Sequence, residues 1–390
     1  MPGTETIGER LRAVRKQVGF TQRELARASG VSLSLIRLLE QGRQEDTRLV
    51  TVRKLAVALK VPTTTLILAD APEPTPETID LWAPVRRALR EPKRQPDEAV
   101  TVQSVAAAVE AVMPLFRSAR YRELAAILPG LLRDAEALPE GAEERHVRLR
   151  LLQLTGWLLT QTQQFDAAEH TLRRALDIAG DRFDAAATVN TLSWLMLRSG
   201  RLTETRRLAV RWADDIEPRL SRATLTELAV WGSLLLRVSN NASRDNQMGE
   251  ARDAMRLAQA AAVRVGREYA AREDAVRTFG PTTVALKRTE NAMIEDLPDK
   301  VLALARAVPT QGLRPTTANL NRHRLDLAFA HAKLRHYPQA LEALQAIRRE
   351  APEWLVQQRY ATDIVRHIVD RRRTLTDEMR DIAAFVGVQN

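Results

Sequence analysis

The spacing of hydrophobic residues in the first 70 positions predicts a series of short helices. In the first helix, apolar side chains recur at intervals of four, three and four, at Ile7, Leu11, Val14 and Val18. The glycine at position 19 ends this helix. Thr21 and Glu24 have the spacing of a capping box, which predicts that a second helix begins at about Gln22.

Turn and cap residues divide the rest of this region into further helices. Gly30 offers a left-handed turn position without steric cost, and Ser32 is placed to cap a third helix that runs to about Gln41. A fourth helix is predicted from about Leu49 to Leu59, and Pro62 opens a short fifth one. Residues 1–70, called the head below, are therefore expected to form a five-helix domain.

From about residue 100, the chain predicts paired helices with a period of about 35 to 40 residues, which is typical of helical repeats. The two clearest units place small residues twelve positions apart and large apolar residues around them. They contain Gly156, Phe165, Ala168, Leu172 and Ala175 in the first unit, and Ala328, Tyr337, Ala340, Leu344, Ile347 and Pro352 in the second. Small residues are needed where paired helices pack closely. Residues 100–390, called the body below, are thus predicted to form an α-solenoid.

Units with weaker patterns lie between these two. Ser193, Gly200 and Thr205 predict a degraded copy, and residues 301–308 close a later one. A copy lengthened by seven residues is predicted from Gly232, Ala251, Met255 and Ala258.

Two polar segments of the body leave alternatives open. In the lengthened copy, the polar run 239–246 predicts a loop that breaks both helices and serves either as a surface insertion or as a lid or partner contact. Residues 280–283 are either a helix start or part of a binding wall.

A proline-rich, acidic segment at 71–77 predicts a semi-stiff spacer between head and body. A helical pattern returns from Ile79 to Arg90, with Leu81, Val85 and Leu89 four residues apart. This helix is expected to dock on the body or on a second subunit. Residues 71–99 are therefore assigned to a linker with a short helix.

The composition favours an all-α protein. Of the 390 residues only 4% are aromatic, and the helix formers Ala, Leu, Arg and Glu dominate. The absence of cysteine excludes disulfides, thiolate metal sites and a cysteine nucleophile. The six histidines lack metal-ligand spacing, and neither a phosphate-binding loop nor a nucleophile elbow is present. We therefore predict no catalytic residues, no metal, no cofactor and no enzymatic activity.

The charge distribution distinguishes the head from the rest of the chain. The net charge is +10, and residues 1–70 hold 12 Lys and Arg against 7 Asp and Glu, which is half of the excess. A basic head suits a nucleic-acid partner, although solubility alone also accounts for it. No apolar run reaches the length of a membrane span and the start of the chain is charged, so we expect a cytoplasmic protein without a membrane partner.

The head carries a specific motif, Gln22-x-x-Leu25-Ala26-x-x-x-Gly30-Val31-Ser32-x-x-x-Ile36-x-x-x-Glu40-x-Gly42, followed by Leu55-Ala56-x-x-Leu59-x-Val61-Pro62. It resembles lambda-repressor/Cro-like (XRE) helix-turn-helix transcription regulators. The body resembles a divergent tetratricopeptide-like repeat array, and the combination resembles regulators of the actinobacterial type.

The resemblance implies a set of contacts to double-stranded DNA. Gln22 would lie at a phosphate, Arg43 would meet the backbone, and the groove would receive Ser32, Leu33, Ser34, Arg37 and Leu38. Arg37 is the strongest candidate for reading a base, because a guanidinium can bond guanine twice, although it would also suit a phosphate. Leu33 and Leu38 depart from the polar residues often found there, and Lys60 replaces the usual glycine.

Solenoids of this class bind peptides or small molecules on their concave surface. The predicted registers place there Arg150, Gln153, Trp157, Asn190, Trp194, Ser233, Glu290, Arg322 and Phe329. Asn190 would clamp a peptide backbone, because its amide both donates and accepts hydrogen bonds. Trp157 and Trp194 would hold an apolar group, or they are packing residues between repeats.

These features lead to a hypothesis and two alternatives. The hypothesis is a homodimeric transcription regulator that binds an inverted repeat and is controlled by a peptide or small molecule in the repeat domain. One alternative is an interaction scaffold with weak or no specific DNA binding, which the apolar third helix favours. The other is an effector-independent repressor that uses its repeats only to dimerise.

Overall fold

The computed structural model describes residues 6–44, 47, 49–61, 63–66, 80–91, 100–271, 277–308, 317–372 and 374–388. Within these ranges the secondary structure is helical, apart from one isolated antiparallel bridge between Tyr269 and Phe279. The predicted all-α fold is confirmed. None of the described helices is long and apolar enough to cross a membrane.

The head has four α-helices and one 3-10 turn at the predicted positions. They are α1 Ile7–Val18, α2 Gln22–Ser29, α3 Leu33–Glu40, α4 Leu49–Leu59 and the 3-10 turn Thr63–Thr65. The predicted capping box is present: the Thr21 hydroxyl accepts from the Glu24 amide at 3.2 Å, and the Glu24 carboxylate accepts from the Thr21 amide at 2.7 Å. Pro62, which was predicted to open the fifth helix, lies outside the described residues.

The head closes around a small apolar core. Its fully buried residues come from all four helices and include Leu11, Leu25, Ile36, Leu39 and Leu55. At Gly8, α1 approaches α3 so closely that a Cβ atom would lie 1.8 Å from the carbonyl oxygen of Leu39. Only glycine fits at this crossing, which fixes the position of α3 against α1.

Lys60 occupies a position where helix-turn-helix regulators of the type that the head resembles usually have glycine. Its φ is 56°, in the left-handed region that side chains with a Cβ adopt with strain. The same conformation occurs at Gly30, where φ is 67° and no strain results. Lys60 therefore closes α4 with a turn that a glycine would form more easily.

The short helix α5, Ala83–Ala88, is shorter than the predicted Ile79–Arg90. Residues 81 and 82 form a turn, in which the Asp80 carboxylate accepts from the Trp82 amide at 3.2 Å and from Arg86. The turn buries Trp82 instead of the predicted Leu81, which is 38% exposed. Together with Val85, Trp82 joins the core of the body, so this helix docks on the body.

Within the residues that the structure describes, the body contains six helical hairpins followed by three shorter helices. The hairpins are α6 Val102–Arg117 with α7 Tyr121–Ala137, α8 Ala142–Gln161 with α9 Phe165–Asp177, α10 Arg182–Arg198 with α11 Leu202–Asp215, α12 Leu225–Arg244 with α13 Met248–Val265, α14 Pro281–Ile294 with α15 Pro298–Ala305, and α16 Thr317–Lys333 with α17 Tyr337–Glu350. The last helices are α18 Pro352–Val356, α19 Arg359–Val369 and α20 Asp377–Phe385. Met379 and Ile382 of α20 are buried in the body core, so this helix caps the array.

The predicted twelve-residue spacing marks the point where the two helices of a hairpin touch. A Cβ atom on Gly156 would lie 2.5 Å from Leu172 Cδ2, so α8 and α9 require a glycine there. In the next hairpin, the Thr205 hydroxyl donates to the carbonyl oxygen of Ser193 at 2.5 Å. The degraded copy therefore keeps the contact and replaces a small apolar pair with a hydrogen bond.

The predicted lengthened copy is wrong, because α12 continues without a break through residues 239–244. Ser239, rather than Gly232, is the small residue twelve positions before Ala251, and its hydroxyl donates to the Ala251 carbonyl at 2.7 Å. Gly232 instead makes room for Phe279, whose Cζ would lie 2.1 Å from an added Cβ.

Among the polar residues that predicted a loop in α12, Ser239, Asn240 and Asn241 are buried and form side-chain hydrogen bonds. Asn291 donates to the Ser239 hydroxyl at 2.8 Å, and Asn241 donates to the Thr205 hydroxyl at 3.0 Å. Buried polar side chains are tolerated when they have such partners. These partners come from neighbouring repeats, so the local sequence pattern did not reveal them.

Residues 280–283 form the start of a helix, which was the first of the two predicted alternatives. Pro281 is the first residue of α14, and the Glu268 carboxylate accepts from the Thr283 amide at 2.8 Å and from its hydroxyl at 2.7 Å. The carboxylate thus satisfies a free donor of the first turn.

Candidate DNA-binding surface and central cavity

Helix α3 presents its predicted contact residues on the surface of the head. Ser32 caps the helix by accepting from the Leu35 amide at 3.3 Å, and it is exposed together with Ser34 and Arg37. Arg43 is exposed just past the helix end. This arrangement places hydroxyl and guanidinium groups along one side of a helix, as a groove-binding helix requires.

The leucines of α3 do not all have the same surroundings. Leu39 is 1% exposed and lies in the head core with Ile36, whereas Leu38 is 38% exposed. Leu33 is half-buried at the start of the helix. One face of α3 is therefore buried within the head, and Leu38 adds an apolar contact to the exposed face.

A buried ion pair, which the sequence reasoning missed, holds α3 in place. The Arg15 guanidinium donates to both carboxylate oxygens of Glu40 at 2.6 and 2.7 Å, and Gln22 donates to the same carboxylate at 2.8 Å. Burial alone would raise the pKa of Glu40, but the bonds from Arg15 and Gln22 lower it below its usual value. The Gln22 amide nitrogen is thus tied to α3, while its predicted role was a contact to phosphate.

The head is docked on the body through α4. Arg53 donates to the carbonyl oxygens of Ser243 at 3.0 Å and of Ile294 at 2.5 Å, at the C-terminal ends of α12 and α14. The Lys54 ammonium lies 3.4 Å from a carboxylate oxygen of Asp296. Carbonyls at helix ends lack partners within the helix and carry partial negative charge, so they suit a guanidinium.

A central cavity of about 430 Å³ lies between the docked head and the body. Val50, Arg53 and Lys54 of the head form part of its wall. The remaining wall comes from the inner helices of the body, and of the predicted ligand contacts it includes Trp157, Asn190, Trp194, Glu290, Arg322 and Phe329. A cavity of this size accommodates a small organic molecule.

The other predicted contacts lie elsewhere. Arg150, Gln153 and Ser233 line a second cavity of about 70 Å³, and Asn190 lines both cavities. Gln153 donates to the Thr188 hydroxyl at 2.9 Å, and Arg150 pairs with Glu110. These side chains are engaged within the body, so the structure divides the predicted surface into two sites.

Aromatic rings form one side of the central cavity. The ring centroids of Trp157 and Trp194 are 6.4 Å apart, and Trp157 is 8% exposed whereas Trp194 is half-buried. Phe329 meets Tyr360 edge to face at 5.7 Å. Trp157 is mainly a packing residue between repeats, and Trp194 and Phe329 offer apolar surface to the cavity.

Glu290 is the centre of an ion-pair network in the same cavity wall. Its carboxylate lies 2.9 Å from Arg244, 2.7 Å from Lys287 and 3.7 Å from Arg322. Burial disfavours the charged carboxylate, but these three cations outweigh it and hold the pKa of Glu290 well below its usual value. Asp326, behind Arg322, has its pKa raised to about 6 by burial.

Several cationic residues of the cavity were missed from the sequence. Arg198, Arg244 and Lys333 each lie five positions after the small packing residue of their helix, which is Ser193, Ser239 or Ala328. This recurrence is a usable signal, because residues in the same register of successive hairpins face the same side. The predicted register of α12 took Gly232 instead of Ser239 as the small residue, so this five-residue recurrence was not recognised.

Comparisons with known proteins identify the head. Residues 6–66 match the model of the family described as "Helix-turn-helix domain". Residues 6–66 form a helix-turn-helix domain. The HTH-type transcriptional repressor RghR of Bacillus subtilis (strain 168) is 43% identical over 58 residues, which cover 15% of this chain and 43% of the repressor. This chain therefore matches less than half of that relative's length.

A solved structure resembles a larger part of the chain at much lower similarity. It is the crystal structure of Bacillus thuringiensis PlcR in complex with the peptide PapR7 and DNA, with 13% identity and a TM-score of 0.37. The alignment covers 78% of this chain and 95% of PlcR. The assignment of the helix-turn-helix domain rests on the sequence matches and on the geometry of the head.

Proposed function

We propose that this protein is a cytoplasmic, homodimeric transcription regulator of the lambda-repressor/Cro-like type, whose DNA binding is controlled by a peptide or small molecule in the central cavity. The observation that supports control is the composition of the cavity wall, which combines the inner surface of the repeats with Val50, Arg53 and Lys54 of the DNA-binding head. A ligand in this cavity therefore contacts both parts of the molecule.

The docked arrangement supports control of head orientation rather than masking. Ser32, Ser34, Arg37 and Arg43 remain exposed while α4 is bound to the body. One helix-turn-helix domain reads a half-site, and two must be spaced by about 34 Å along the duplex to bind together. A ligand that favours one docked orientation would set this spacing in a dimer, provided that its affinity differs between the two states.

Selection of genomic DNA fragments by the purified full-length protein tests the proposal. At physiological salt we expect enrichment of an inverted repeat, and addition of host culture extract should change the enrichment. No enrichment in either condition would contradict DNA-binding regulation. Enrichment that no extract alters would instead support an effector-independent repressor.

A protein-interaction scaffold is the second candidate, and the exposed Leu38 favours it. In that case Leu38→Ser would abolish capture of a partner protein and leave DNA retention unchanged. In the regulator, Leu38 lies at the groove, so the same substitution should change DNA affinity.

A further inference from the structure

The central cavity has an excess of positive charge. Among the described residues that line it, ten are basic and three are acidic. The acidic ones are Glu290, Asp296 and Asp363, and the basic ones are Arg53, Lys54, Arg198, Arg237, Arg244, Arg277, Lys287, Arg322, Lys333 and Arg359. Enclosed charge of one sign is costly unless a counter-charge is present.

The acidic groups are already shared among several cations. Glu290 contacts Arg244, Lys287 and Arg322, and Arg322 also pairs with the buried Asp326 at 3.4 Å. Asp296 is bound by both Lys54 and Lys333. The ion-pair partners of Glu290 and Asp296 thus include five of the cations of the wall, but neither Arg198 nor Arg237.

Arg198 and Arg237 have only neutral partners among the described residues, as does Arg53, whose partners are the two helix-end carbonyls described above. The nearest acceptor of Arg198 is the side-chain oxygen of Gln161 at 3.5 Å, and its guanidinium lies 5.5 Å from the ring centroid of Trp194. Arg237 donates twice to the side-chain oxygen of Asn190, at 3.2 Å each. Neither arginine forms an ion pair with a described carboxylate, and both are half-buried.

The electrostatic surroundings of these two groups agree with the geometry. Burial, with a smaller contribution from the neighbouring Arg322, lowers the pKa of Arg198 to about 10. Burial also lowers the pKa of Arg237 to about 10, with Glu290 opposing the change and Arg244 adding to it. Both side chains remain charged at neutral pH, so each would attract an anionic group that enters the cavity.

We propose that the central cavity binds an anionic ligand, whose carboxylate or phosphate oxygens are received by Arg198 and Arg237. The planar guanidinium groups each present paired donors that match such oxygens. Trp194 and Phe329 contribute the apolar part of the site, so the ligand combines an anionic group with an apolar one. This assignment specifies the ligand of the control site proposed above.

Calorimetric titration of the full-length protein at low ionic strength tests the ligand class. The probes are 3-phenylpropionate, phenyl phosphate and the neutral 3-phenylpropionamide, which matches the first in shape but lacks the charge. We expect the amide to bind at least about tenfold more weakly than the carboxylate. The stronger of the two anions identifies the group that the site prefers. Equal binding of amide and carboxylate, or no binding of either anion, would overturn the proposal.

Substitutions locate the site. Arg198→Gln and Arg237→Gln should each weaken binding of the better anion by about tenfold. Arg211→Gln is the matched control, because the side chain of Arg211 is 79% exposed on α11. If the two cavity variants bind as tightly as the control, the assignment of these arginines is wrong.

The ligand-free protein provides a second readout. Arg198→Met removes a charge that has no acidic partner and keeps apolar contact with Trp194, so we expect the Tm of the ligand-free variant to stay equal or rise. A clear fall in Tm would assign Arg198 a structural role and overturn its role in ligand binding. None of these measurements involves DNA, so anion binding without DNA binding would contradict the proposed function alone.

Discussion

The head and the body differ in how particular cations are compensated. In the head, Arg15 is paired with both oxygens of Glu40, and Arg37 is exposed on α3. In the body, Arg198 and Arg237 line an internal cavity with neutral partners. The charge of Arg15 is thus compensated within the head, whereas the charges of Arg198 and Arg237 remain open to an anionic ligand.

Loss of the head's carboxylate should give the largest effect. Glu40→Ala leaves the Arg15 guanidinium buried without a counter-charge and removes the acceptor of Gln22, so we expect destabilisation of the head by about 3–5 kcal/mol. Urea unfolding monitored by amide exchange in the head measures it. Glu204→Ala on α11 is the control, since the Glu204 side chain is 59% exposed. A loss below about 1 kcal/mol would refute the contrast between the two regions.

The exposed Arg37 on α3 should contribute to DNA affinity rather than to the stability of the fold. Arg37→Ala is expected to reduce affinity for the selected DNA by about 1–3 kcal/mol and to leave the Tm unchanged, because Arg37 is exposed. Competition binding at fixed salt measures the loss. Arg211→Ala on the body serves as the control. Unchanged affinity would remove Arg37 from the DNA-binding surface.

Loss of the Arg53 side chain should weaken the docking of the head on the body. Arg53→Ala removes two charge-assisted bonds to helix-end carbonyls, which we expect to weaken docking by about 1–2 kcal/mol after allowance for solvent exposure. Faster amide exchange in α4 and in the ends of α12 and α14 would show it. Arg27→Ala, an exposed position on α2, is the comparison variant. Exchange rates equal to those of that variant would mean that Arg53 does not hold the head.

The smallest effect concerns backbone strain, which both regions contain. Lys60 in the head and Ala119 in the body have φ values of 56° and 55°. Replacing either with glycine relieves left-handed strain and also increases the freedom of the unfolded chain, so each should gain about 0.5–1 kcal/mol at most. Denaturant midpoints of the two variants measure this. If only Lys60→Gly is destabilising, the Lys60 side chain contributes more to folding stability than its left-handed backbone conformation costs.

The head was predictable from its sequence because its signals are local. The capping box at Thr21 and Glu24 and the cap at Ser32 act within one helical turn, so each fixed a helix start to the residue. The Arg15–Glu40 pair joins residues 25 positions apart, and no local pattern specifies it.

The body was predictable where a small residue marks the contact between the two helices of a hairpin. Trp157 and Asn190 were placed correctly on the inner surface because Gly156 and Ser193 fixed the registers around them. In α12, the buried serine and asparagine residues give a sequence pattern typical of a loop. Their hydrogen-bond partners belong to other repeats, so the pattern does not reveal that they are buried. Arg237 and Arg244 were missed with that helix, and Arg198 was missed because an arginine near a helix end usually faces solvent.

The two bonds of Arg53 have a mechanical consequence. The carbonyl acceptors at Ser243 and Ile294 belong to consecutive hairpins, so a single guanidinium of fixed size spans the step from one repeat to the next. Both bonds depend on the distance between the C-terminal ends of α12 and α14, because hydrogen bonds weaken steeply when stretched. A change in that distance would therefore weaken the attachment of the head, which couples the packing of these two hairpins to head docking.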